Sequence, residues 1–439
     1  MIGIPPQLSS LEIGKQRLVA LTLGVGYSAK LRNMSVIYLG HCDAGCVPSK
    51  PQTFLGRFHN VAGSAALKDR VSFRDDDRST WRRFKEVSSG PFNVSDIHGF
   101  LHRAGFMPRA RAVPVFDYVT QASVRLFQEY LRTMEGIAEM VPDGIVGQQT
   151  HKHMQRWQTQ NQVCEWASGQ PSKEYELWMK TLALAKNTYA VSRPSMIRKI
   201  DEYPGQTDTR KVADWSFNSS DIHLIGIRSD EQVSTDRRQS NDIFILLVNG
   251  QVFKFWGSTD PNAKMNSKRK DEAFLVEGQH KYRFSWHKVS EASKVYRALR
   301  PYKHGVLVLR DRDFDNALTK KDIDVGFDKN TNHVINIHWS GIGASNWSAG
   351  CQVIAGKSYI NPRGQAIDCS SFAATNYGQL NTTHRKTKAA YNMLADLVLC
   401  YAKPSVDYLL YSLGRDESFK LTDAFEADYV KKTFSSMQV

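Results

Sequence analysis

The chain has 439 residues, of which 41% are apolar and 23% charged, the balance of a folded protein with room for two or three cores. No run of about 18 or more apolar residues occurs, which excludes an uninterrupted membrane-spanning helix. With 58 Lys and Arg against 44 Asp and Glu, the formal net charge is +14, which favours anionic polymers as surroundings. No groove-reading motif accompanies that charge, so a specific nucleic-acid partner is not expected.

Residues 1–91 mix strand-like runs such as "VIYLGH" (Val36–His41) and "RVSFRD" (Arg70–Asp75) with glycine turns, and no function is readable in them. Lys15 and Arg17 precede an apolar run, Leu18–Gly26, but the lead before them is long and holds two prolines. That is a poor signal peptide, and a first strand or helix is the plainer expectation. The basic clusters Arg78–Lys85 and Asn266–Glu272 read as solvated faces. Six cysteines in a chain of this length do not make a disulfide framework. His41, Cys42 and Cys46 offer half of a zinc-ligand set, the second pair is missing, and no metal is assigned. Cys164 and Cys400 fall in or beside helical patterns and read as packing residues.

From residue 92 to 160 the period becomes helical. In "NVSDIHGFLHRAGFM", Ser95 is the expected N-cap, Ile97, Leu101 and Ala104 form an apolar face, and Gly105 is a stop. A second helix is expected over Phe116–Thr133, with Val119, Ala122, Val124, Phe127 and Leu131 at near-helical spacing. Asp143-Gly144 and Gly147 mark turns before a third helix at "HKHMQRWQ". With Phe116-Asp117, Thr120, Phe127-Gln128 and the segment Asp143–Gly147, this arrangement resembles the small three-helix peptidoglycan-binding domain of cell-wall enzymes. The resemblance implies a wall-binding module that includes Asp143, Gly144, Gly147 and Thr150. The loop "MPRARAVPV" is longer than usual there, and a helical unit that only joins domains is the plainer alternative.

Residues 161–191 carry a helical pattern read as a linker helix, and from 192 to 415 the pattern turns to strands. Asn249-Gly250 between "DIFILLV" and "QVFKFWGS" is a strong hairpin signal. "FLVEGQHKYRFSWHK", "HGVLVLRDRD" and "HVINIHWS" read as further strands, Thr383–Ala402 as an amphipathic helix, and "VDYLLYSLG" as a closing strand. Residues 416–439 read as a helical tail.

The stretch "HVINIHWSGIGASNWSAGCQVIAG" contains the parts of a thiol site. A cysteine nucleophile acts as thiolate, needs an imidazole to take its proton, and needs donors for the oxyanion. His338 is expected at the end of a strand Val334–Ile337, and Cys351 at the start of a strand Cys351–Ile354. Gly350 lets the backbone pass close to a bound carbonyl, and Ser348 is placed to orient the imidazole or to bond substrate. The plain alternative is a buried packing thiol and a strand-end histidine. Trp339 and Trp347 flank the pair as groove-lining aromatics or loop closures, and His287 and Arg310 are weaker candidates for substrate contact.

"INIHWSG…SAGCQVI" resembles the active-site segment of the L,D-transpeptidase-like cysteine enzymes, in a divergent branch of phage and bacterial cell-wall type. "FLVEGQHKYRF" is similar to the segment that precedes it, with Gly278 and Tyr282 at its core. The resemblance implies Cys351 as nucleophile, His338 as base, Ser348 and Gly350 as motif residues beside the oxyanion, Tyr282 as a substrate-side residue, and no cofactor. Ala349 stands where the family has His, and Val353 where it has Arg or Asn, so the choice between hydrolysis and transfer does not carry over. The expected fold is therefore α+β and multidomain: a three-helix peptidoglycan-binding-like domain, then a mostly β L,D-transpeptidase-like domain. The expected function is cleavage or L,D-transpeptidation of stem-peptide amides through a thioester, in a lytic phage or delivered protein. Its partners would be peptidoglycan, anionic envelope polymers and tail or secretion-machine proteins. The alternative is a non-enzymatic wall-binding or tail component with an inactive domain.

Overall fold

The computed structural model describes residues 36–45, 85–87, 92–111, 114–229, 240–262, 271–287, 296–315, 317–343, 345–382, 386–403, 408–416, 425–426 and 428–438. The apolar run Leu18–Gly26, the strand expected at Arg70–Asp75, Cys46 and most of both basic clusters lie outside the described residues. No helix among the described residues is long and apolar enough to cross a membrane.

The described part of the first region is short. Strands β1 (His41–Cys42) and β2 (Lys85–Glu86) pair in parallel, and bridges Ile37–Val146 and Cys42–Val115 attach them to the helices that follow. Helix α1 spans Val94–Arg103, and its N-cap is Asn93 rather than Ser95. Asn93 Oδ1 accepts from Asp96 N–H at 2.9 Å, and Asp96 Oδ2 accepts from Asn93 N–H at 3.0 Å, a reciprocal capping box. Ser95 instead donates to Asp43, whose carboxylate also takes the Val94 and Ser95 N–H groups at the positive end of the helix. Helix α2 (Tyr118–Met134) starts at Asp117, and α3 (Gln148–Gln160) ends at Asn161 with φ +50°. Phe106, Phe127, Tyr130, Trp157 and Trp166 join these helices through ring contacts with centroids 4.9–5.7 Å apart.

Helix α4 (Lys173–Ser192), expected as a linker, lies on the sheet instead of bridging solvent: Tyr175, Trp178 and Leu182 pack with Ile225, Ile227, Ile243 and Ile245. Helix α5 (Ser195–Asp201) follows. The strands are β3 (His223–Arg228), β4 (Asp242–Val248), β5 (Gln251–Ser258), β6 (Ala273–Leu275), β7 (Gly278–His287), β8 (Tyr296–Pro301) and β9 (Val308–Arg310). After α6 (Lys320–Val325) come β10 (Ile337–Trp339), β11 (Gln352–Ile360), β12 (Ala366–Asp368), α7 (Tyr377–Thr382), α8 (Ala390–Tyr401), β13 (Leu409–Arg415) and α9 (Tyr429–Ser436).

The main sheet runs β10-β8-β7-β13-β3-β4-β5-β11, and the β10–β11 pairing closes it into a mixed barrel with β12 on the outer edge of β11. Two junctions are parallel, β13–β3 and β10–β11; the others are antiparallel. The hairpin at Asn249-Gly250 forms as read: both residues have positive φ, +51° and +77°, which is the twist a two-residue connection requires. A Cβ at Gly250 would also stand 2.5 Å from the Gln170 carbonyl oxygen, so this turn and the lead into α4 fit only around glycine.

Helix α8 is buried from Ala390 to Cys400 rather than showing one apolar and one solvated face, because α2 covers it on one side and the barrel on the other. Inside that contact Asp396 accepts from Arg125 Nε at 2.7 Å and from an Arg297 terminal nitrogen at 2.7 Å. Tyr359 Oη donates to Glu129 at 2.6 Å, and Arg132 donates to the Asp368 carbonyl at 2.9 Å. The three helices and the barrel thus share one continuous apolar core. The tail helix α9 docks as well, with Val430 and Met437 buried beside Trp256 and Ile360.

Candidate active site

The parallel ladder sets the geometry of the thiol and the imidazole. Its register pairs Ile337 with Gln352, His338 with Val353 and Trp339 with Ile354. Side chains alternate along a strand, so Asn336 and His338 share one face, and Cys351, level with Asn336, shares that face across the ladder. His338 does not end its strand: β10 begins at Ile337 and runs through Trp339, while Val334 is 60% exposed. Cys351 stands immediately before β11, half-buried, and the thiol and imidazole both line a cleft of about 850 Å³.

Two backbone groups meet the sulfur. Asn336 N–H donates to Cys351 Sγ at 3.3 Å, and the thiol donates to the Val334 carbonyl at 3.2 Å. The ring of His338 is buried, and its Nδ1 lies 2.9 Å from the Trp339 carbonyl oxygen and 2.9 Å from Tyr296 Oη. A carbonyl can only accept, so Nδ1 carries the ring proton and Nε2 is the basic nitrogen. His287 stacks on His338 with centroids 4.2 Å apart and planes 22° apart, and its own Nδ1 is 2.9 Å from the Asn336 side-chain nitrogen. Elsewhere, burial pushes the thiols of Cys164 and Cys369 well up and that of Cys400 up to about 12, so these sulfurs stay protonated and inert as packing groups.

The cleft gathers His287, Trp339, Trp347 and Ser348 around Cys351 and His338. Trp347 is 66% exposed at its rim, whereas Trp339 is buried against Tyr377. The Ser348 hydroxyl takes the Gly350 N–H at 3.4 Å and its carbonyl takes Asn262 N–H at 2.7 Å, which ties the loop down. The first of these bonds engages the Gly350 N–H. A Cβ at Gly350 would meet only Ala273, at 3.8 Å, so neither crowding nor φ requires glycine there.

Two expected substrate residues lie outside the cleft lining. Tyr282 is fully buried in β7 and donates to the Ile335 carbonyl at 3.0 Å, which fixes the chain beside Asn336. Arg310 is held on β9 by Asp328 at 2.8 Å and donates to the Asp271 carbonyl. The residues of the three-helix motif face inward. Asp143 Oδ1 accepts from Ile145 N–H at 2.8 Å and from Gln128 Nε2 at 3.0 Å; that same amide nitrogen reaches Thr150 Oγ1 at 3.1 Å. Gly144 has φ +79°, gives its N–H to Gln128 Oε1 at 2.8 Å, and has no room for a Cβ beside Gln121. Gly147 is the N-cap residue of α3. At the expected half-site, His41 Nδ1 accepts from Tyr38 N–H and Cys42 is buried. The acidic group Asp311, Asp313 and Asp315 converges to ligand spacing among the described residues, on the loop after β9.

Two residues of the site escaped the sequence. Asn336 was legible by alternation, two positions before His338. Tyr296 lies 42 residues before His338, and the pairing of β8 with β10 brings it to the ring. No family model, no curated protein and no solved structure matches the chain.

Proposed function

We propose that the chain is a cysteine enzyme of peptidoglycan that acts on stem-peptide amides through a thioester at Cys351. The observation that supports this most is the shared face of Cys351 and His338 at one cleft, with the imidazole held so that Nε2 is the basic atom. In the proposed reaction, Nε2 takes the thiol proton and Sγ attacks the amide carbon. Collapse of the tetrahedral intermediate breaks the C–N bond, and the same proton passes to the leaving amine. Water then releases the acyl group as a carboxylate, or a second amine takes it as a new amide. The exposed indole of Trp347 gives the rim a flat apolar contact for a sugar or peptide. The helical unit is proposed as a wall-binding module, and the net charge of +14 favours retention on an anionic envelope. A lytic phage or delivered protein fits this reading.

A second reading, a non-enzymatic wall or tail component, draws on one observation: the sulfur is already bonded to the backbone at Val334 and Asn336, a resting arrangement suited to an idle thiol. Digestion of purified peptidoglycan by the native chain and by Cys351→Ala, with fragments resolved by mass, separates the two. The enzyme reading expects new stem-peptide products from the native chain alone. Unchanged peptidoglycan with both proteins would favour the binding component.

A further inference from the structure

We propose that a pocket between α4, α5 and the outer face of β13 is a second binding site, for a neutral aromatic molecule that carries one hydrogen-bonding group. The pocket has a volume of about 280 Å³ and shares no lining residue with the cleft of Cys351. Its floor follows from strand alternation. Leu409, Tyr411 and Leu413 point into the core shared with the helices, so Ser412 and Gly414 face outward. Ser412 is level with Ile225 on β3, which packs under α4, and with Gln279 on β7. The Gln279 side chain is drawn aside to Ser216, accepting from its N–H at 2.9 Å and donating to its carbonyl at 3.0 Å. Gly278, next along β7, has φ +126°, a conformation that favours glycine. Small residues thus leave a gap over the sheet where α4 ends at Arg193, with φ +42°, and the chain turns into α5.

The walls are apolar and largely aromatic. Tyr189, Trp215 and Phe217 line one side, edge to face in series with centroids 5.8 and 6.5 Å apart, and Met196 and Ile197 of α5 also line the space. A flat ring extends such a series. A cavity of about 150 Å³ takes benzene, so nearly twice that volume has room for a bicyclic ring. Glu277 is the one charged residue of the lining, and Arg415 at 2.8 Å already pairs with it, so the pocket calls for no counter-charge. The Trp215 indole N–H is likewise engaged, by the Arg210 carbonyl at 3.1 Å. Ser412 differs: it is 8% exposed, and its hydroxyl oxygen is covered without a hydrogen-bond partner. A buried hydroxyl left unpaired is costly, and a turn about its Cα–Cβ bond brings it to the pocket that its side chain lines. A ligand with one polar group would satisfy it there.

The test is equilibrium dialysis of the full chain against 2-naphthol and, separately, naphthalene. The native chain should retain both below about 1 mM, with 2-naphthol about three- to tenfold tighter for its one hydrogen bond. Ser412→Ala should remove that preference and leave naphthalene binding as it was. Ala185→Phe should fill the pocket and abolish both, and Met196→Trp takes its place should that variant fail to fold. No retention of 2-naphthol by the native chain, or retention unchanged in the filled variant, overturns the site. Equal affinity for the two probes in the native chain, or a preference that survives Ser412→Ala, overturns the role of the hydroxyl.

Discussion

Single histidines show how placement decides chemistry in this chain. His338 opens to the cleft, whereas His280 on β7 is sealed: its Nε2 donates to the Val276 carbonyl at 2.9 Å and its Nδ1 accepts from Thr209 at 3.1 Å. Burial, with Arg228 adding to it, lowers His280 to about 3, and burial with Arg111 lowers His98 to about 4. Both folded values lie below that of an unfolded histidine, so the unfolded chain binds more protons as the pH falls. The stability these groups contribute is fully present above about pH 6.5 and is lost between there and pH 3–4, at up to about 1.4 kcal/mol per pH unit for each. Urea unfolding at pH 7 and pH 5 should show that loss, and His280→Gln should remove about one proton from the slope; an unchanged slope would contradict a neutral buried His280. The sequence offered no distinction among these rings, since burial arises from strands far apart in the chain.

Between elements, the contact of α2, α8 and β8 buries three charges. Asp396 stands between Arg125 and Arg297, with all three side chains 3% exposed or less. Asp396→Ala would leave two cations buried with their shared partner gone, at a cost of about 3–5 kcal/mol in urea unfolding; a loss below about 1 kcal/mol would mean that water reaches the site. The elements themselves were largely legible, because they rest on local rules. The Asn249-Gly250 hairpin, the stop at Gly105 and the apolar stripes of α1 and α2 depend on neighbours a few residues away. The N-cap at Asn93 was missed because Ser95 answers a different carboxylate, Asp43. The solvated face expected on α8 was missed because its second cover, α2, lies more than 250 residues away.

At the scale of the molecule, closure of the barrel creates the candidate site. Cys351 and His338 could be read as a candidate pair from one short stretch, but their register could not: the strands pair in parallel, so Cys351 at the start of β11 stands level with Asn336, two residues before His338. His287 reaches the same cleft from β7, and Tyr296 stands behind it against His338, only because β8 pairs with both β7 and β10. The inward-facing network of Gln128 around Asp143, Gly144 and Thr150 was likewise hidden, since a turn motif looks the same whether its polar atoms serve a ligand or the fold.

The claim that Cys351 becomes acylated has one direct test. The native chain and His338→Gln are each mixed with a purified stem peptide, quenched in acid, digested and mapped by mass. The account predicts an acyl adduct on the Cys351 peptide of the native chain, released by hydroxylamine and strongly reduced in the His338 variant. A Cys351 peptide that stays unmodified while the stem peptide is consumed, or no consumption at all, would contradict it.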